Sequence, residues 1–148
     1  METINIFYVD DDEDDLHIFK EALNRIQIPH LLKLFTSGNE LLKELKKVNY
    51  ACDVVFTDLN MPVYDGMEVL RSLQHPILKE GLRVVVLSTS SELNDIRRSY
   101  ELNAVLFIQK SNNFTKFTNL LKIVLRDKLY LRLPENQESF IFRPKSLA

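Results

Sequence analysis

At 148 residues, with 45% hydrophobic and 27% charged residues and a formal net charge of −2, the chain has the size and balance of one globular domain able to bury its own core. No apolar run approaches the roughly 18 residues of a membrane span, and the N-terminus lacks the basic-then-apolar order of a signal peptide, so a soluble, cytoplasmic protein with no membrane association is expected. The lone Cys52 excludes an internal disulfide framework and a cysteine metal cluster, and its apolar setting, YACDVVF, predicts a small core residue.

The first predicted element is a strand, the apolar run INIFYV at 4–9, and it ends on six consecutive acids, Asp10 to Asp15. Acids are favoured in the first turn of a helix, where free N–H groups and the positive end of the macrodipole attract anions. That accounts for Glu13, Asp14 and Asp15, ahead of the helical stripe Leu16, Phe19, Leu23 and Ile26. It accounts poorly for Asp10 and Asp11, which follow the strand directly and repel one another unless a cation or proton relieves them. These two point to a cation site, whereas Asp12 is expected to be solvated. The six acids carry −6 against a net −2, so the rest of the chain is at +4 and the acidity is local.

A second strand follows at 31–35, LLKLF, less uniformly apolar and suited to a sheet edge. Ser37 and Glu40 have capping-box spacing before the stripe Leu41, Leu42, Leu45 and Val48. The third strand, DVVFT at 53–57, leads to Asp58; Met61-Pro62 and Asp65-Gly66 shape the loop beyond it and start a helix carrying Met67, Leu70 and Leu73. The fourth strand is LRVVVLS at 82–88. Thr89 and Glu92 then offer a second capping box, with Ser90 and Ser91 as alternative caps, before the stripe Leu93, Ile96 and Tyr100. The fifth strand is AVLFI at 104–108, followed by Lys110 and a helix with Phe117, Leu120, Leu121, Val124 and Leu125. From Gln109 onward eight Lys/Arg face three Asp/Glu, but they form no tight cluster, which argues against nucleic-acid binding. His17, His30 and His75 share no metal-ligand spacing and read as structural or surface residues.

Strand and helix alternating five times predict a doubly wound α/β fold with a parallel sheet and helices on both faces. In such sheets ligands bind at the carboxyl ends of the strands. Asp10, Asp11, Asp58, Ser88 with Thr89, and Lys110 all follow predicted strand ends, so they are expected to meet at one rim. Three carboxylates, a hydroxyl and an ammonium suit phosphate chemistry with a divalent cation: Mg²⁺ takes one or two carboxylates and leaves positions for phosphate oxygens, a carboxylate can itself accept phosphoryl, and a lysine pairs with phosphate as a point charge.

Four motifs, YVDDD, DVVFTDLNMPVYDG, VVVLSTSS and LFIQK, together resemble the receiver domain of two-component response regulators, of the chemotaxis-receiver kind, over roughly residues 4 to 127. The resemblance implies a flavodoxin-like (βα)5 fold with strand order 2-1-3-4-5. It implies that Asp58 is the phosphoacceptor, that Asp11 and Asp58 bind Mg²⁺ directly with the Asn60 backbone carbonyl, and that Asp10 acts largely through water. Lys110 matches the family's lysine, Ser88 its switch hydroxyl and Phe107 its switch aromatic. A histidine kinase or phosphotransfer protein would be the donor, and an unknown downstream protein would read the surface near the fourth strand, fourth helix and fifth strand. Two features depart from the pattern. Ser111 stands where receivers commonly have a proline, often cis, and a cis bond before a non-proline costs about 2.5–4 kcal/mol. Phe107 has no hydroxyl, so its switching must come from packing.

Residues 1–130 are thus expected to form the receiver and 131–148 a C-terminal tail, too short for a DNA-binding or other output domain. Within the tail, Phe140, Ile141 and Phe142 are expected to dock on the chain's own helices or on a second subunit, as in a homodimer. The competing enzymatic reading, a Mg²⁺-dependent phosphohydrolase with an aspartyl-phosphate intermediate, lacks an acid two residues after Asp58, where Asn60 stands. A nucleotide- or flavin-binding domain lacks its Gly-rich loop, the glycines being Gly38, Gly66 and Gly81 alone. The chain therefore reads as a signalling module and not as an enzyme acting on other substrates.

Overall fold

The expected alternation holds throughout: β1 (Ile4–Val9), α1 (Glu13–Arg25), β2 (His30–Phe35), α2 (Gly38–Leu45), β3 (Val54–Thr57), α3 (Gly66–Ser72), β4 (Arg83–Ser88), α4 (Leu93–Glu101), β5 (Leu106–Gln109) and α5 (Phe114–Arg126), then a short α6 (Gln137–Phe140). The computed structural model describes residues 2–47, 50–61, 65–74, 82–127 and 131–142; Val48, Pro62 and His75 lie outside the described residues.

The five strands form one parallel sheet in the order β2-β1-β3-β4-β5, the flavodoxin-like arrangement. Successive side chains on a strand point to opposite faces, so each apolar run feeds two cores at once. Ile6, Tyr8, Phe56, Val85, Leu106 and Ile108 pack beneath α1 and α5. Phe7, Val9, Val55, Val86 and Phe107 pack beneath α2, α3 and α4. The Phe19 ring anchors α1, 4.3 Å from Tyr8 and 5.1 Å from Phe56 between ring centroids. β2 is indeed an edge strand and is only partly covered along its length. Cys52 is buried, as its apolar setting predicts. Among the described residues no helix is long and apolar enough to cross a membrane.

Several local expectations are corrected. β5 begins at Leu106 and not at Ala104. Asn103 holds a left-handed φ of 66° and Ala104 N–H still bonds back to the Ser99 carbonyl, so the chain is completing the exit from α4 where the apolar run begins. The Thr89–Glu92 capping box does not form: α4 starts at Leu93, and the Ser90 hydroxyl accepts from Glu92 N–H and donates to Asp95. Leu93, expected on the buried stripe, is 77% exposed, because at the very start of α4 it lies beyond the sheet that covers Ile96. The Ser37 cap does form, accepting from Glu40 N–H, although the Glu40 carboxylate takes the Thr36 hydroxyl.

Candidate functional site

Register brings the acids together. Val9 pairs with Thr57, so the next residue on each strand, Asp10 on β1 and Asp58 on β3, emerges beside the other at the switch in strand order. Asp58 N–H bonds to the Val9 carbonyl and Asp10 N–H to that of Phe35, which carries the sheet's pairing one step past the strand ends. Carboxylate oxygens of Asp10, Asp11 and Asp58 lie within 4.8 Å of one another. Asp10 is fully buried and Asp58 is 7% exposed, whereas Asp11 faces solvent.

Asp10 is held on both oxygens. One accepts from Asp12 N–H at 3.0 Å, and the other accepts from the Tyr8 hydroxyl at 2.5 Å and from the Lys110 ammonium at 2.8 Å. Lys110, three residues past Phe107 on the far side of β4, also reaches Asp15 at 2.9 Å and Asp58 at 3.6 Å. Burial acts to lower the Lys110 pKa, but the Asp10 hydrogen bond and the charges of Asp58 and Asp10 outweigh it and hold the ammonium above its ordinary value. Burial raises the Asp58 carboxyl from 3.8 to about 6; Lys110 opposes the rise, Asp10 reinforces it, and the N–H groups of Asn60 and Leu59 pull it down. Burial and the Asp10 carboxylate likewise push the Tyr8 phenol above its usual range.

Asp12 is exposed but not merely solvated: its carboxylate caps α1, accepting from Asp14 N–H at 2.9 Å and Asp15 N–H at 3.3 Å. Beyond Asp58, the Asp65 carboxylate caps α3, accepting from Glu68 N–H, and Gly66 N–H donates to the Leu59 carbonyl. A Cβ on Gly66 would stand 2.2 Å from the Asp58 carbonyl oxygen, so only glycine permits this approach. Ser88 is buried at the end of β4, its hydroxyl accepting from Ser90 N–H and its carbonyl from Lys110 N–H. The Lys110–Ser111 peptide is trans. A cleft of about 430 Å³, lined by Tyr8, Asp15, Thr89, Lys110 and Ser111 among others, opens on the lysine's side.

The structure thus gathers Asp10, Asp11, Asp58 and Lys110 at one rim, with Ser88 at the end of β4 and Phe107 on β5, facing the α4 side. Asn60 is exposed two residues past Asp58. His17 is exposed, and His30 hydrogen bonds to the Ile28 carbonyl. Two partners were not predicted. Tyr8 could have been found from strand periodicity, since it lies two residues before Asp10 and shares its face. Asp15 carries no such signal, because a helix-start acid looks the same whether or not a lysine 95 residues away reaches it. Three convergent carboxylates, one raised by burial, fit a hard divalent cation that supplies charge neutralisation and open positions for phosphate oxygens.

Comparison with known proteins agrees. The sequence profile of the response regulator receiver domain matches residues 6–122. Response regulator Rcp1 of Synechocystis sp. is 33% identical over 114 residues, 73% of this chain and 77% of Rcp1. The structure of the phosphorylated cyanobacterial phytochrome response regulator RcpA superposes with a TM-score of 0.75 at 31% identity, over 90% of this chain and 97% of that one. The Mn²⁺-bound form of Rcp1 superposes with a TM-score of 0.73 at 29% identity, over 88% and 99%.

Proposed function

The chain belongs to the response regulator receiver domain family, which serves phosphorylation-based two-component signalling, and on that premise we propose that Asp58 accepts a phosphoryl group from a histidine kinase or phosphotransfer protein in the cytoplasm. One observation carries the reading: Asp10, Asp11 and Asp58 converge within 4.8 Å with Lys110 reaching across them. Asp11, Asp58 and the Asn60 carbonyl would hold Mg²⁺, with Asp10 acting through water; when bound, the ion supplies charge neutralisation for the phosphoryl oxygens. Rcp1, which was solved with Mn²⁺, supports the choice of a divalent ion.

An Asp58 oxygen attacks phosphorus as the bond from phosphorus to the donor nitrogen breaks; that nitrogen keeps the electron pair, and the donor histidine, protonated on its other ring nitrogen, leaves as neutral imidazole. Lys110, held protonated by the acids around it, pairs with a phosphoryl oxygen as a point charge. The Ser88 hydroxyl then turns to a phosphoryl oxygen, and the Phe107 ring, already buried, shifts further inward into the space it leaves. Asn60, two residues past Asp58, offers no carboxylate to activate water, which favours a lasting acyl phosphate over a phosphohydrolase. The altered face near β4, α4 and β5 would be read by a downstream protein.

The test is intact-mass measurement after incubation with a small phosphodonor and Mg²⁺. One added phosphoryl group is expected for the wild type, and none for Asp58→Asn or with excess chelator. Equal labelling in either control refutes the assignment.

A further inference from the structure

Residues 136–142 bind the edge of the sheet beside Phe107. The Asn136 side chain and Ser139 cap α6 reciprocally, and this four-residue turn delivers Phe140 at its end. Phe140 has no exposed surface, and its ring meets Tyr100 of α4 and Phe107 of β5 edge-on, at centroid distances of 5.5 and 6.2 Å. Ile141 next forms a single parallel bridge to Phe107, and Phe142 N–H donates to the Phe107 carbonyl at 2.9 Å. The Phe142 side chain then enters the opposite core layer, among the residues packed under α1 and α5. The segment covers an otherwise open strand edge and pins both layers at one residue. That residue is itself paired to Val86 on β4, two positions before Ser88, and lies three positions before Lys110.

We propose that residues 136–142 are an intramolecular ligand of the α4–β5 face and that their docking is coupled, through the Phe107 ring, to the phosphoryl state of Asp58, an inference that rests on the receiver function proposed above. Phe140 closes the outer side of the space that the Phe107 ring fills, so the docked segment favours the inward ring. A Ser88 hydroxyl drawn to a phosphoryl group makes room on the inner side and favours the same position. Two events that stabilise one arrangement reinforce each other, and the coupling is reciprocal. Phosphorylation therefore tightens the segment on the face, and the seated segment strengthens binding of a phosphoryl mimic by the same factor. A downstream protein meets a surface made partly of α6, more firmly built when Asp58 is modified.

The experiment measures hydrogen exchange at the Phe142 amide in the full chain, with Mg²⁺, before and after adding beryllium trifluoride as the phosphoryl mimic. Exchange should slow by at least about fivefold, and Phe140→Ala or truncation after Leu133 should weaken binding of the mimic by a similar factor. Failure of the wild type to bind the mimic overturns the receiver reading and the coupling with it. Binding that leaves Phe142 exchange unchanged or faster, with mimic affinity unchanged in Phe140→Ala, overturns the coupling alone.

Discussion

Replacing Asp58 with asparagine should stabilise the metal-free protein at neutral pH, and the size of the gain follows from the site. Burial is the main cause raising the Asp58 carboxyl from 3.8 to about 6, with Lys110 opposing and Asp10 adding to the rise. The difference of about 2 units, at about 1.4 kcal/mol each, means that ionising this carboxyl costs the folded state about 3 kcal/mol. With 7% of the residue exposed, solvent screening removes little of that. Because the folded value lies above the unfolded one, the native protein holds the proton more tightly between them. Stability is therefore fully present below about pH 4, is lost as pH rises through about 6, and stays lost above. Asparagine cannot ionise, so Asp58→Asn should gain about 3 kcal/mol at about pH 7.5, a rise in Tm of roughly 6–12 °C, and almost nothing at about pH 4. Added Mg²⁺ should raise the wild-type Tm more than that of the variant, since it relieves the same charge. Thermal melts in chelator at the two pH values decide the matter: an equal gain at both, or a variant less stable at neutral pH, would refute the argument.

Four further outcomes are expected. Asp12→Ala removes the α1 cap seen at Asp14 and Asp15 and should cost about 1 kcal/mol in urea denaturation while Asp58 still accepts phosphoryl. Gly66→Ala forces a Cβ to within 2.2 Å of the Asp58 carbonyl oxygen; it should cost about 1–3 kcal/mol and weaken Mg²⁺ binding, and unchanged affinity by titration would contradict the close packing. Ser88→Ala should accept phosphoryl yet lose the slowing of Phe142 amide exchange, because the hydroxyl proposed to respond to the phosphoryl group is gone. Truncation after Leu133 exposes surface now covered by Phe140 and Phe142, each worth about 1.5–3 kcal/mol, and must lower the Tm if the segment is docked in solution.

Strand identity and the ends of the strands were legible because both are local. The runs at INIFYV, DVVFT and LRVVVLS are apolar on both faces, which only a doubly covered parallel strand requires, and the polar residue that ends each run marks the rim. Helix starts with a single capping oxygen to accept the free N–H, such as that of Ser37, were equally readable. The start of α4 was not: Thr89, Ser90 and Ser91 all offer a hydroxyl, yet none of them caps the helix, which starts after Glu92 with the Ser90 hydroxyl donating to Asp95. Leu93 has the right spacing for a buried stripe, but spacing does not say where the covering sheet stops.

From the sequence alone came the doubly wound class, the three acids and the lysine at strand ends, and an apolar triplet in the tail that had to be covered by something. Tertiary structure alone decided that Lys110 bridges Asp10, Asp15 and Asp58, that Tyr8 holds Asp10, and that Phe140 to Phe142 close on Phe107 of the same chain. The reason lies in sequence separation. A strand's burial or a helix cap is set by neighbours a few positions away, whereas Lys110 and Asp10 are 100 residues apart and meet only because parallel pairing aligns every strand end on one rim.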